Sequence, residues 1–197
     1  ELIEMAKVAA RHGGFYATHI RGESDDLLVS LAEAARIGEQ AGIPVEIWHL
    51  KAAGRQNWGR MTEALAAIEA ARERGIDMTA DIYPYPAAAT DLSACLPPVA
   101  QEGGLAALVA RLTDPASRTK IRAEMEHPVT RWENLLKLAG GPEGVLITGV
   151  RTAANKQFQG KRLSEVAASR GADPIDTLFD LLVEEGGSVD SIYFLMS

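Results

Sequence analysis

Two histidines and an aspartate follow predicted strands at nearly equal spacing along the sequence. His19 and His49 are 30 residues apart, and Asp81 follows His49 by 32 residues. Neutral imidazole is the commonest nitrogen ligand of zinc, so two histidines on neighbouring strand ends could share one ion. A catalytic zinc needs at least three protein ligands, so this pair alone does not complete a site. Without their shared position at strand ends, hydrogen-bonded or surface histidines would be the simpler interpretation.

Lys51 and Tyr83 are the two residues that could bind a substrate. Lys51 comes two residues after His49, so its side chain points to the same face of an extended strand and could hold a carboxylate. Tyr83 could donate a hydrogen bond to a ligand. The simpler alternatives are a solvated lysine at the start of a loop and a tyrosine that packs in a turn beside Pro84.

Other polar residues near the strand ends have both a functional and a structural interpretation. Arg21 and Glu23 could contact a ligand, or they could simply pair with each other. Asp81 could orient a histidine from behind the metal, or it could cap a turn. Cys95 has no adjacent histidine and the sequence contains no Gly-x-Ser-x-Gly motif, so we find no candidate nucleophile.

The elements that must position these residues alternate between strand and helix. The periodicity of apolar residues predicts strands at 14–18, 45–48 and 77–83 and helices at 24–42 and 61–75. Such an alternation implies parallel strands with helical crossovers, in a barrel or an open α/β sheet. Polar side chains at the strand ends favour a (β/α)8 barrel, whose chemistry lies at that face. No glycine-rich phosphate loop follows a strand, which disfavours a dinucleotide-binding sheet.

The pattern changes after Tyr85, where a loop-rich stretch precedes a mostly helical region. Patterns typical of helices occur at 105–112, 115–126, 132–138, 163–169 and 174–185, and patterns typical of strands at 145–150 and 191–196. This is more chain than one crossover needs. We therefore predict a partial barrel at residues 1–85, an inserted and mostly helical subdomain at 86–160, and helices with a strand at 161–197 that lead back to the barrel.

Composition limits the class of protein and its partners. The 197 residues are 47% hydrophobic and 24% charged, as in ordinary globular domains. A net charge of -7 argues against nucleic-acid binding and favours a small-molecule partner. Cys95 is the single cysteine, which fits a reducing, cytoplasmic location. We expect no membrane partner, because no apolar run has the length of a bilayer span.

Three segments of the sequence resemble one branch of the amidohydrolase superfamily. Residues 16–23 (YATHIRGE), 48–54 (WHLKAAG) and 81–85 (DIYPY) resemble, in order and spacing, the N-acyl-D-amino-acid deacylase or D-aminoacylase family. Further segments agree with that family at 96–98, 101–104, 155–161, 171–174 and 192–197. The resemblance covers nearly all of the chain, and it identifies the sequence as an internal part of such a protein.

The resemblance implies a fold, a reaction and roles for four residues. In a (β/α)8 amidohydrolase barrel, His19 would end the fifth strand and His49 the sixth, and both would bind zinc. Lys51 and Tyr83 match positions that hold the substrate carboxylate. The implied reaction is hydrolysis of an N-acyl-D-amino acid to a carboxylate and a D-amino acid, in which zinc activates water and polarises the amide carbonyl.

The same resemblance implies that part of the active site lies outside this chain. The general-base aspartate of the eighth strand, the His-x-His pair of the first strand and one upstream ligand have no counterpart in the sequence. We therefore assign no catalytic residue within the chain, and we expect the chain alone to be inactive.

Two alternatives remain open at this point. The first is an amidohydrolase of cyclic amides, such as a hydantoinase or dihydroorotase, against which the Lys51 and Tyr83 pair argues. The second is a non-catalytic fragment that folds or associates. Three strands cannot close an eight-stranded barrel, so the inserted subdomain or another copy of the chain would have to cover their open edges.

Overall fold

The computed structural model describes residues 1–129 and 131–197 of the chain. Their contacts divide them into two compact units. The first unit consists of Glu1–Tyr85 together with Met196–Ser197, and the second unit is Pro86–Leu195.

The first unit contains a parallel sheet with the strand order β1-β2-β3. The strands are β1 (Tyr16–Thr18), β2 (Val45–Ile47) and β3 (Met78–Ala80), and the helices are α1 (Leu2–Arg11), α2 (Leu27–Ala41) and α3 (Met61–Glu73). Tyr16 pairs with Val45, and Val45 pairs with Met78. Since the helices join consecutive strands, the predicted parallel strands with helical crossovers are confirmed, as in a partial (β/α)8 barrel.

Helix α2 packs closely against the sheet because one residue of the helix, Gly38, has no side chain. A Cβ added at Gly38 would lie 2.5 Å from Cγ2 of Val45 and 3.1 Å from Cγ2 of Ile76. The helix is capped by Gly42, whose left-handed backbone (φ 62°) glycine adopts without strain. The core of this unit is formed by the apolar face of α2 and by the strands, including Leu27, Leu31, Ala34, Ala35, Val45, Ile47 and Met78.

The second unit contains an antiparallel sheet with the strand order β4-β6-β5. Its strands are β4 (Ala88–Asp91), β5 (Val145–Gly149) and β6 (Asp190–Tyr193). Its helices are α4 (Pro98–Gln101), α5 (Gly104–Thr113), α6 (Pro115–Glu126), α7 (Leu135–Leu138), α8 (Leu163–Arg170) and α9 (Pro174–Glu184). The central strand β6 pairs Tyr193 with Ala88 on one side and with Val145 on the other.

Most of the predicted elements are present, with several differences. The strand predicted at 191–196 spans Asp190–Tyr193. Strand β4 lies within the stretch that we predicted to be loop-rich. The third strand was predicted to reach Tyr83 but ends at Ala80, because its partner strand β2 ends at Ile47 and the chain turns at Trp48 and His49. The helix predicted from residue 132 begins at Leu135, after Asn134 accepts a hydrogen bond from the Lys137 amide.

The division at residues 85 and 160 stays a prediction about the domains of a longer protein. Over residues 1–129 and 131–197, no helix combines the length and the apolar character that crossing a membrane requires.

Candidate metal centre

The segments that follow β1 and β2 bring the two histidines together. His19 comes directly after β1 and His49 two residues after β2, and the Trp48 amide donates to the Thr18 carbonyl at 3.0 Å. Nδ1 of His19 lies 3.1 Å from Nε2 of His49. The two ring centroids are 4.8 Å apart with an interplanar angle of 62°. The even spacing in sequence therefore becomes a contact between two ring nitrogens.

Asp81 fixes the backbone that carries His49. His49 has a positive φ of 42°, which is uncommon for a residue other than glycine. Its amide donates to Oδ1 of Asp81 at 2.5 Å, and the Leu50 amide donates to the Asp81 carbonyl at 2.8 Å. Of the two roles that the sequence allowed, Asp81 thus caps a turn, and it aims the imidazole through the main chain.

Glu23 is a third member of the site, and its place beside the two candidate metal ligands was not predicted from the sequence. Its buried side chain places Oε1 at 3.0 Å from Nδ1 of His49 and 3.5 Å from Nδ1 of His19. His19, Glu23 and His49 each offer one ligand atom, and these atoms all lie within 4.8 Å of one another. An acidic residue four positions after a candidate ligand, near the same strand end, was the signal in the sequence.

The predicted alternative for Glu23, an ion pair with Arg21, is wrong. Arg21 instead makes two hydrogen bonds to Glu33, at 2.9 and 3.0 Å. Because α2 brings Glu33 beside the strand end, the arginine is held by a planar, bidentate contact. Glu23 is left to face the histidines.

Lys51 also points into this cluster. Its ammonium donates to Oε1 of Glu23 at 2.5 Å and to the His49 carbonyl at 3.2 Å, and it lies 2.9 Å from Nδ1 of His49. The Lys51 side chain is 9% exposed and that of Glu23 is 7% exposed, so water screens this pair weakly.

Tyr83 lies beside the lysine, with its ring centroid 5.6 Å from the Lys51 ammonium. Burial, with a contribution from the charge of Glu23, raises the pKa of Tyr83 to about 12. The phenol therefore keeps its proton near neutral pH and is available as a hydrogen-bond donor. A substrate-binding role for Lys51 and Tyr83 stays a prediction.

The donor set fits a divalent metal ion such as zinc. In a tetrahedral zinc site with Zn–N bonds of about 2.0–2.1 Å, two ligand nitrogens lie roughly 3.3–3.4 Å apart. The 3.1 Å between the nitrogens of His19 and His49 is close to this separation. The His19 side chain is 60% exposed, which leaves access for water on that side. Two imidazoles with a nearby carboxylate suit zinc and related transition metals.

Comparison with known proteins gives relatives over part of the chain. No protein-family model matches. A D-aminoacylase of Alcaligenes xylosoxydans xylosoxydans is 45% identical over 92 residues, and an N-acyl-D-glutamate deacylase of that organism is 38% identical over 92 residues. Each match covers 47% of this chain and 19% of the relative. The matched part is therefore a small share of either relative's length.

Solved structures match the whole chain. The structure of N-acyl-D-glutamate deacylase from Bordetella bronchiseptica, complexed with zinc and a phosphonate mimic of the tetrahedral intermediate, gives a TM-score of 0.69 at 26% identity. A D-aminoacylase structure concerned with its binuclear metal centre gives a TM-score of 0.66 at 30% identity. Both matches cover 100% of this chain and 31% of the solved one.

Proposed function

We propose that this chain, a homologue of the D-aminoacylases and related N-acyl-D-amino-acid deacylases, forms part of the metal site of an enzyme that hydrolyses N-acyl-D-amino acids. The observation that carries the proposal is the pair of ring nitrogens of His19 and His49, 3.1 Å apart at the ends of neighbouring parallel strands. The strand ends of a (β/α)8 barrel are where such enzymes carry their active sites.

The chain's own residues have distinct parts in this reaction. His19 and His49 hold the cation through one nitrogen each. A zinc ion bound there supplies Lewis acidity, which lowers the pKa of water and polarises the amide carbonyl. The aspartate that moves the proton lies outside this chain, according to the family resemblance. Amide cleavage therefore requires the longer protein.

Zinc is the metal that we propose, because the Bordetella bronchiseptica relative was solved with zinc. A related D-aminoacylase variant was solved with copper chloride, and another structure concerns a binuclear centre. A nitrogen and oxygen donor set accepts several divalent transition metals, so geometry and availability decide which is bound.

Lys51 and Tyr83 are proposed to hold the substrate carboxylate. The ammonium supplies a positive charge with three N–H donors, and the phenol supplies a neutral donor whose pKa of about 12 keeps it protonated. The lysine ammonium is a compact charge without the fixed planar geometry of a guanidinium, so it can bind the carboxylates of neutral and acidic D-amino acids alike.

The test is turnover by the full-length protein. We expect N-acetyl-D-amino acids to release acetate and the D-amino acid, and their L-enantiomers to react far more slowly. Hydantoin and dihydroorotate serve as competitors, because a hydantoinase or dihydroorotase would open these rings. Cleavage of the cyclic amides alone would contradict the proposal.

Association of chains is the second candidate role, since within residues 1–129 and 131–197 β1 and β3 each pair with a neighbour on one side only. Light scattering of the 197-residue chain tests it, and a strictly monomeric, folded chain would argue against pairing between copies. The cytoplasmic location and the absence of a nucleic-acid partner stay predictions.

A further inference from the structure

Glu23 contacts both histidines and the lysine of the site. We propose that Glu23 is a positioning residue, which sets the nitrogen that His49 presents to the metal and, in doing so, frees one donor of Lys51 for the substrate. The inference rests on the proposed metal site at His19 and His49.

The two ring nitrogens of His49 face different partners. Nε2 faces Nδ1 of His19 at 3.1 Å. Nδ1 faces Oε1 of Glu23 at 3.0 Å and the ammonium of Lys51 at 2.9 Å. A neutral imidazole carries one proton, so one nitrogen donates and the other accepts. The neighbours of His49 therefore decide between two tautomers.

The two tautomers have opposite consequences for a metal ion. With the proton on Nε2, His49 donates to His19 and accepts from Lys51, so no lone pair of His49 faces the site. With the proton on Nδ1, His49 donates to Glu23, and the lone pair of Nε2 is available to the cation. Since an ionised carboxylate only accepts hydrogen bonds, Glu23 stabilises the tautomer that binds metal.

The choice of tautomer changes what Lys51 can do. When Nδ1 of His49 carries the proton, it no longer accepts from the ammonium. Lys51 then keeps its bonds to Glu23 and to the His49 carbonyl, at 2.5 and 3.2 Å. An ammonium has three N–H groups, so the third becomes available to a carboxylate. Metal binding and substrate binding are thus coupled through Glu23.

The position of Glu23 favours this role over that of a third metal ligand. Its Oε1 lies nearer to Nδ1 of His49 than to Nδ1 of His19, at 3.0 against 3.5 Å. Nδ1 is the nitrogen of His49 that turns away from His19. The same oxygen also accepts from Lys51. A carboxylate that orients a histidine from its far nitrogen commonly supports metal binding in proteins.

The experiment measures zinc affinity by chelator competition in the full-length protein and its Glu23→Gln variant. We expect zinc to bind about 10–100-fold more weakly in the variant, the usual effect of losing such a carboxylate. Glu23→Asp, which keeps the charge on a shorter side chain, should recover part of the loss. The matched control is Glu33→Gln, which removes a carboxylate paired with Arg21 outside the cluster and should leave zinc affinity unchanged.

A second readout separates positioning from direct ligation. The absorption spectrum of the cobalt-substituted protein reports the number and type of ligand atoms. It should keep its band positions and intensities in Glu23→Gln, because the metal keeps the same protein ligands. Circular dichroism tests whether each variant is folded. If Glu23→Gln does not fold, zinc affinity and the cobalt spectrum are measured in Glu23→Asp instead.

Three outcomes would overturn the inference in distinguishable ways. Unchanged zinc affinity in the folded variants would show that Glu23 does not position His49. A cobalt spectrum that loses a ligand would make Glu23 part of the coordination shell. Failure of the wild-type protein to bind zinc would remove the proposed function, and the inference with it.

Discussion

Each of the two units has a buried glutamate, and the two differ in what they contact. In the first unit, one oxygen of Glu23 faces His19, His49 and Lys51. In the second unit, Glu185 follows α9 and accepts hydrogen bonds from a single loop. Its donors are the amides of Arg151 and Thr152, at 2.5 and 3.0 Å, the Thr152 hydroxyl and the side-chain amide of Asn155 at 2.8 Å.

The pKa of Glu185 is typical of a carboxylate with a structural role. Burial by itself raises its pKa, but hydrogen bonds from Thr152 and Asn155 and from the backbone outweigh burial and lower the pKa to about 2. All these donors are neutral groups, and towards a carboxylate each of them can only donate a hydrogen bond. At Glu23 the neighbours are basic groups that compete for the same atom. Basic groups that compete for one acceptor oxygen therefore distinguish Glu23 in the candidate site from Glu185, which only holds a loop in place.

Removal of both histidines should have the largest effect. In full-length His19→Ala/His49→Ala we expect zinc, measured by elemental analysis, to fall from stoichiometric to near zero, because two ligands are lost at once. His12→Ala/His127→Ala is the control, since both residues are exposed and outside the cluster. Retained zinc in the first double variant would place the metal elsewhere.

Removal of Glu185 should destabilise the second unit without affecting the metal. In Glu185→Ala, buried donors of the 151–155 loop lose their acceptor, and we expect a loss of about 3 kcal/mol in the free energy of unfolding. Urea denaturation measures the change. Zinc content should stay at the wild-type value, and a fall in zinc would contradict the separation of a structural carboxylate from the site.

The contribution of Glu185 should also depend on pH in a defined window. Its pKa in the folded chain is about 2, against an ordinary value of 4.5. The stabilisation is therefore complete above about pH 4.5 and is lost as the pH falls towards 2. The stability difference between wild type and Glu185→Gln should shrink across that window. A difference that stays constant from pH 6 to pH 3 would contradict the low pKa.

A smaller effect is expected at the substrate side of the site. Tyr83→Phe removes a hydroxyl donor but keeps the ring beside Lys51. Loss of one hydrogen bond to a charged carboxylate should raise KM for N-acetyl-D-amino acids about tenfold, with a smaller change in kcat. Tyr85→Phe is the control, because that ring is exposed. Equal effects in the two variants would remove the assignment of Tyr83.

The smallest effect is expected at Cys95, a buried polar group of the second unit. Burial raises the pKa of its thiol to about 12. Since the thiolate is the reactive form, iodoacetamide at pH 8 should modify the folded protein very slowly and the urea-unfolded protein readily. Rapid alkylation of the folded protein would show that this part of the core opens.

The sequence predicted the elements whose signals are local. Aspartate followed by proline precedes α6 and α9, and in both cases the aspartate accepts from amides of the first turn, as at Asp114 and Asp173. The two histidines could be paired because one strand-and-helix unit separates them. Apolar periodicity and regular spacing were sufficient for these predictions, and the capping aspartates explain why the two helices begin where they do.

The features that the sequence did not predict depend on distant partners. From the sequence, nearby Arg21 was one possible partner of Glu23, but the fold brings Glu33 to the arginine from 12 residues away. Strand β4 has a short and weakly alternating sequence, AATD, and it becomes a strand because it pairs with β6. Neither partner can be chosen from local pattern alone.

The position of β6 between β4 and β5 has a consequence for synthesis on the ribosome. Tyr193 of β6, whose hydroxyl donates to the carbonyl of Asp91, follows that residue by 102 positions. At about 5–20 residues per second, β4 leaves the ribosome roughly 5–20 s before the strand that pairs with it. For that interval β4 lacks its neighbour, and β5, which is synthesised between β4 and β6, lacks it for a shorter time, so protection of their edges from other nascent chains would fall to chaperones.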